Sequence, residues 1–151
     1  MRSARLLTSI LLLSLASVAT AHAQPAWRQV YSDASVKVAL DTARVARAGT
    51  GDYTMILRWD YSSPRLLEDR RQYRRMVQQV RVRCTPTPIR VKRFAAAVYS
   101  STGVLIQEAK PLTSSELRYM DWDRLRPRTE GSRVFPAVCR TVTSRTIRRS
   151  A

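Results

Sequence analysis

The sequence predicts an α+β domain: a single antiparallel sheet of five to six strands with a short C-terminal helix tethered by a disulfide. Three observations predict it. Apolar residues recur at every second position through several runs, the repeat of a half-buried strand. Segments rich in Gly, Pro and Ser separate those runs at hairpin spacing. Two cysteines, Cys84 and Cys139, stand at the end of one such run and inside the last helical pattern.

The chain opens with a leader. Arg2 and Arg5 precede the apolar run Leu6–Ala16, and Ala21-His22-Ala23 closes it before Gln24. That is the layout of a secretory signal peptide with an A-x-A cleavage site, and the run is short for a membrane span. Residues 1–23 are therefore expected to be removed, 24–143 to form one domain, and 144–151 to be a basic, disordered tail. No later stretch is apolar enough to span a bilayer. Loss of the leader removes Arg2 and Arg5, leaving 25 basic against 11 acidic residues, a formal charge of +14. Only Lys37, Lys92 and Lys110 are lysines. A GC-rich genome, which favours Arg and Ala codons, is an equal explanation of the arginine excess.

The elements follow in order. Trp27–Tyr31 alternates loosely and reads as a first strand. Asp33-Ala34-Ser35 turns the chain into a second, with Val36, Val38 and Leu40 on one face. Asp41-Thr42 ends it and can cap a short helical turn through Val45. After Gly49–Asp52, the strand Tyr53–Tyr61 puts Tyr53, Met55, Leu57, Trp59 and Tyr61 on one side, and Ser62-Ser63-Pro64 breaks it. Pro64 to Gln72 reads as a loop or helical turn. From Met76, the even positions Val80, Val82 and Cys84 face inward, with Arg81 and Arg83 outward; Val80, Val82 and Cys84 cannot share a helical face. Ile89–Ser100 is a further strand whose phase slips between Val91 and Phe94. A bulge near Lys92-Arg93 or a sheet covered on both faces accounts for the slip. Ser100–Gly103 turns a hairpin into Val104–Glu108. Leu112–Tyr119 can hold a helical turn capped by Ser114 or Ser115. Asp121–Asp123 and Pro127–Gly131 read as loop. Ser132 offers the N-cap of a short last helix, with Pro136 in its first turn and Val134, Phe135, Val138 and Cys139 on an apolar face. Export and an even cysteine count point to one Cys84–Cys139 disulfide, with two free buried thiols as the alternative.

Several of these segments occur together in a known order. Trp27-Arg28-Gln29-Val30-Tyr31 is followed by Val36–Asp41, the Trp59 strand and the basic strand ending in Cys84. Tyr99–Val104, Trp122 with Pro127, and Phe135-Pro136-Ala137-Val138-Cys139 complete the series. Over Trp27 to about Val142 the chain resembles the surface-adhesin protein E family of exported bacterial domains. The resemblance implies a six-stranded antiparallel sheet, a C-terminal helix held by the disulfide, and a domain able to dimerise. The founding member resembles a host-protein-binding adhesin. No binding motif carries over, only the two cysteines.

The chemistry expected is non-catalytic. The one histidine, His22, leaves with the leader, so neither a Ser-His nor a Cys-His pair can form. No Gly-rich phosphate loop is present. Asp121 and Asp123 read as turn formers, and two distant cysteines do not make a zinc set, so neither a metal nor a cofactor is expected. The candidate binding residues form a basic stripe over two strands: Arg70, Arg71, Arg74, Arg75, Arg81 and Arg83, then Arg90, Lys92 and Arg93. Tyr73 and Phe94 could stack beside it. Export argues against nucleic acid as the partner. It favours an acidic protein, an acidic glycan or lipopolysaccharide, met in the periplasm or at the surface of a bacterium. The alternative is a periplasmic protein without adhesin activity, its stripe a solvated face or a dimer edge.

Overall fold

The computed structural model describes residues 24–85 and 87–149. The expected leader, residues 1–23, lies outside the described residues, as do Pro86 and residues 150–151. The elements are β1 (Trp27–Ser32), β2 (Val36–Asp41), β3 (Ala46–Gly49), β4 (Asp52–Leu66), β5 (Gln72–Arg83), β6 (Arg90–Tyr99) and β7 (Leu105–Ala109). A short helix α1 (Ser114–Tyr119), β8 (Asp123–Arg124) and the helix α2 (Glu130–Arg149) complete them. The strands make one antiparallel sheet in the order β1-β2-β4-β5-β6-β7, with β3 paired to β4 and β8 to β6.

The sheet thus has eight strands, more than the five or six expected. The two unforeseen ones are β3 and β8, of four and two residues. Strands this short carry no readable period. Their existence depends on a neighbour that supplies the hydrogen bonds. Near β3, the Asp41 carboxylate accepts the Ala26 and Ala43 N–H groups, so the turn after β2 is side-chain bonded and no helix forms there. The turn from β3 into β4 requires Gly51. Its φ is 74°, and a Cβ there would lie 2.5 Å from the Thr85 carbonyl oxygen.

Pro64 does not end β4. The strand continues to Leu66, and the β4–β5 register slips between Asp60 and Arg65 to absorb Ser62-Ser63-Pro64. Proline is tolerated there because a bulge needs no ladder N–H at that point. The hairpin into β5 closes with Leu67 N–H donating to the Arg71 carbonyl, and Arg70 takes a left-handed φ of 65°.

The phase slip in β6 is a bulge. Gln79 pairs with Ala95 but Val80 pairs with Arg93, leaving Phe94 as the extra residue. α1 is capped by Thr113, not by Ser114 or Ser115, in a capping box with Glu116. α2 is longer than expected at 20 residues and starts at Glu130 rather than after Ser132. Thr129 Oγ1 accepts the Ser132 N–H, the contact a capping side chain makes. Pro136 therefore lies inside the helix, beyond the first turn where it was expected. The described helix reaches Arg149.

One face of the sheet and α2 enclose the core. β2 contributes Val36, Val38 and Leu40; β4 contributes Tyr53, Met55, Leu57, Trp59 and Tyr61. Val80, Val82 and Val91 extend it, and Val134, Phe135, Val138 and Val142 of α2 close it. Each such side chain contributes about 1.5–3 kcal/mol when fully buried. Cys84 and Cys139 are bonded as expected, with Cα atoms 5.5 Å apart and a sequence separation of 55. The bond ties α2 to the end of β5 across that core.

Candidate functional site

Period two sends Arg81 and Arg83 to the face of β5 opposite the core. Register then decides who joins them. Arg81 stands opposite Thr54 on β4 and Lys92 on β6, and Arg83 stands opposite Asp52 and Arg90. Arg90 in turn pairs with Arg124 of β8. Directly paired residues share a face, so Arg81, Arg83, Arg90, Lys92 and Arg124 form one outer cluster. Trp122, half-buried, lies over it: its ring centroid is 4.2 Å from the Arg83 guanidinium, 5.1 Å from Lys92 Nζ and 5.8 Å from the Arg81 guanidinium. A tryptophan face attracts cations at such distances.

Asp52 anchors this cluster. It is 3 % exposed, and both its oxygens accept from Arg83, at 2.8 and 3.1 Å. Arg81 donates to it at 3.0 Å and to the Ala48 carbonyl at the same distance. The Arg83 guanidinium, with Arg81 beside it, holds the Asp52 carboxyl below the usual carboxylate range. Lys92 is 6 % exposed and donates to the Leu117 carbonyl at 2.9 Å, so it also holds α1 against the sheet.

The remaining predicted stripe residues separate. Asp60 accepts from both Arg58 and Arg75, at 2.9 and 2.6 Å. Arg71 pairs with Asp69 and reaches the Ile106 carbonyl and Gln107, joining the β4–β5 hairpin to β7. Arg70 is in the hairpin turn, and Arg74 is exposed without a carboxylate partner among the described residues. Arg93 does not join the stripe. The bulge places it opposite Val80 on the helix side, where it pairs with Asp123 at 2.8 Å and lies 5.8 Å from the Phe135 ring. Neither expected stacking ring is available beside the cluster. Tyr73 packs edge-on against Tyr61, and Phe94 is buried. The ring that does stack is Trp122, which sequence reasoning assigned to a loop. Its alternation with Asp123 and Arg124 was the available signal, masked by the lack of any apolar run around it.

On the helix side lies a cleft of about 660 Å³ at the start of α2. Trp59, Tyr61, Met76 and Gln78 line it, together with Arg93, β8, Leu125, Arg126, Thr129 and the first two residues of α2. Burial pushes the Tyr61 phenol well up, so its hydroxyl stays protonated. No group of three or more His, Cys, Asp or Glu able to hold a metal occurs among the described residues. No helix among them is long and apolar enough to cross a membrane.

No curated protein and no solved structure gives a significant match. The family model described as surface-adhesin protein E matches residues 27–140, nearly the whole span from β1 into α2 and both cysteines. The chain therefore belongs to the surface-adhesin protein E family.

Proposed function

We propose that the chain is an exported, non-catalytic binding domain displayed at a bacterial surface, and that its outer sheet face engages an acidic partner. The partner is an acidic protein, an acidic glycan or lipopolysaccharide. One observation carries this reading. Arg81, Arg83 and Lys92 lie against a half-buried Trp122, with Arg90 and Arg124 paired next to them, while Asp52 is the one carboxylate bonded to them among the described residues. The surplus of positive charge draws anions in, and the ring offers an apolar face beside it.

Arg90 and Arg124 are the informative positions, because neither has a carboxylate partner among the described residues. The double variant Arg90→Gln/Arg124→Gln keeps Asp52 satisfied. Its affinity for immobilised heparin or lipopolysaccharide should fall about fivefold or more at low salt, with a flatter salt dependence. Unchanged affinity and salt slope would remove this face as the binding site. The bonding of Asp52 to Arg81 and Arg83 favours a second reading for those two residues alone. They brace the sheet in a periplasmic protein without adhesin activity. Binding that ignores salt would favour that reading for the whole face.

A further inference from the structure

The helix-side face of the sheet is not closed along its whole length. The disulfide holds Cys139 at the Cys84 end of β5, and α2 starts only at Glu130, beside the cleft of about 660 Å³. Cavities of roughly 300–1,000 Å³ suit small ligands. Gln78 is out of place on its floor. It shares a face with Val80 and Val82 and is 6 % exposed, yet its amide makes no hydrogen bond among the described residues. Opposite it on β6 is Ala96, too small to fill the gap. Trp59 also lines the cleft at 4 % exposure, and its indole N–H has no partner among the described residues. A buried N–H left unbonded costs free energy, so the Trp59 indole, with the unbonded Gln78 amide lining the same cavity, points to a ligand that bonds them.

The mouth has a different chemistry. The first-turn N–H groups of Glu130 and Gly131 have no intrahelical acceptor, and the helix dipole favours an anion beside them. Arg126, also at the mouth, has no carboxylate partner among the described residues. The two acidic groups at the rim are already neutralised, Asp123 by Arg93 and Glu130 by Arg65. The geometry points to this cleft as a binding site for a small aromatic carboxylate. Its ring packs against Trp59, a polar ring atom bonds the Gln78 amide, and its carboxylate meets the first turn of α2 near Arg126. Trp122 does not line the cleft, which shares only Arg124 with the outer cluster, so this inference rests on other residues than the reading of that cluster.

The probe is indole-3-carboxylate, titrated into the purified chain and followed by NMR at the Trp59 indole N–H and the Gln78 side-chain amide. Saturable shifts at both are expected, with neutral indole and acetate each binding about tenfold more weakly. Gln78→Leu should remain folded with undiminished thermal stability, because it removes an amide that bonds nothing among the described residues. It should bind about tenfold more weakly. Absence of saturable shifts, equal binding of neutral indole, or unchanged affinity in Gln78→Leu overturns the proposal. If Gln78→Leu does not fold, Met76→Trp decides the matter by filling the cleft. Lost binding supports the site and retained binding overturns it.

Discussion

Asp52 shows how one residue converts a repulsive row of cations into a stable face. Arg81 and Arg83 project from the same side of β5, and without a counter-charge they would repel each other. The buried carboxylate bonds both. Because the two guanidiniums are about a third exposed, water can take over part of their solvation when the carboxylate is lost. Asp52→Ala should therefore cost about 2–3 kcal/mol, at the low end for a broken buried pair. The effect should depend on pH in one direction. The folded carboxyl titrates below its unfolded value, so its contribution is complete above about pH 4 and fades as pH falls through the folded pKa. Urea midpoints of the wild type and Asp52→Asn should differ at pH 7 and converge towards pH 3. A gap that stays constant would show that the charge is not what stabilises this position. Gln78 is the opposite case at the same scale. It lines the cleft with an amide that bonds nothing among the described residues, beside the buried and unbonded Trp59 indole N–H.

Among the elements, α2 is the one that depends most on a single covalent link. Its apolar stripe of Val134, Phe135, Val138 and Val142 packs on β2, β4 and β5, but Pro136 interrupts its hydrogen-bond ladder. The disulfide offsets that weakness by closing a loop of 55 residues, worth about 4 kcal/mol in the chain-entropy account. Cys84→Ser/Cys139→Ser should lower unfolding stability by about 3–4 kcal/mol. Hydrogen exchange should accelerate in α2 more than in β4. Equal acceleration throughout would mean that the helix is held by packing alone. The bulge in β6 acts at this scale as well. One extra residue, Phe94, turns Arg93 from the expected stripe to the helix side, while Lys92 remains on the outer face. A two-residue strand, β8, then brings Arg124 and Trp122 to the outer cluster. The position of the candidate site is thus a matter of register, which single-strand periodicity does not contain.

The whole molecule is a sheet with two differently finished faces. α2 and the core occupy one, and a charged, partly braced surface the other. A formal charge of +14 over residues 24–151 favours anionic surfaces at low ionic strength and weakens that attraction as salt rises. Family membership agrees with an exported bacterial protein. Surface display makes a direct prediction. Protease added to intact cells should digest the chain while a periplasmic control protein survives. Survival of both would place the chain behind the outer barrier, and its partners would then be envelope components.

By itself the sequence determined the class of the fold, the long strands, the identity of the core and the cysteine pair. It did so because burial on one face imposes period two, and because Val80, Val82 and Cys84 must then point the same way. The family was legible for the same reason: its features are core and turn positions in order. Only the tertiary structure decided the short strands β3 and β8, the true start of α2 and the path of β4 through Pro64. Each of these depends on a hydrogen-bonding partner that the periodicity of its own segment does not reveal. The candidate site belongs to that second group. Nine basic residues looked equivalent in one dimension. The fold gave Arg81 and Arg83 to Asp52, Arg75 to Asp60, Arg71 to Asp69 and Arg93 to Asp123, and it paired Arg90 with Arg124, a residue outside the nine. Charge is a property of the sequence, but whether a charge is free to bind depends on which carboxylate the fold sets next to it.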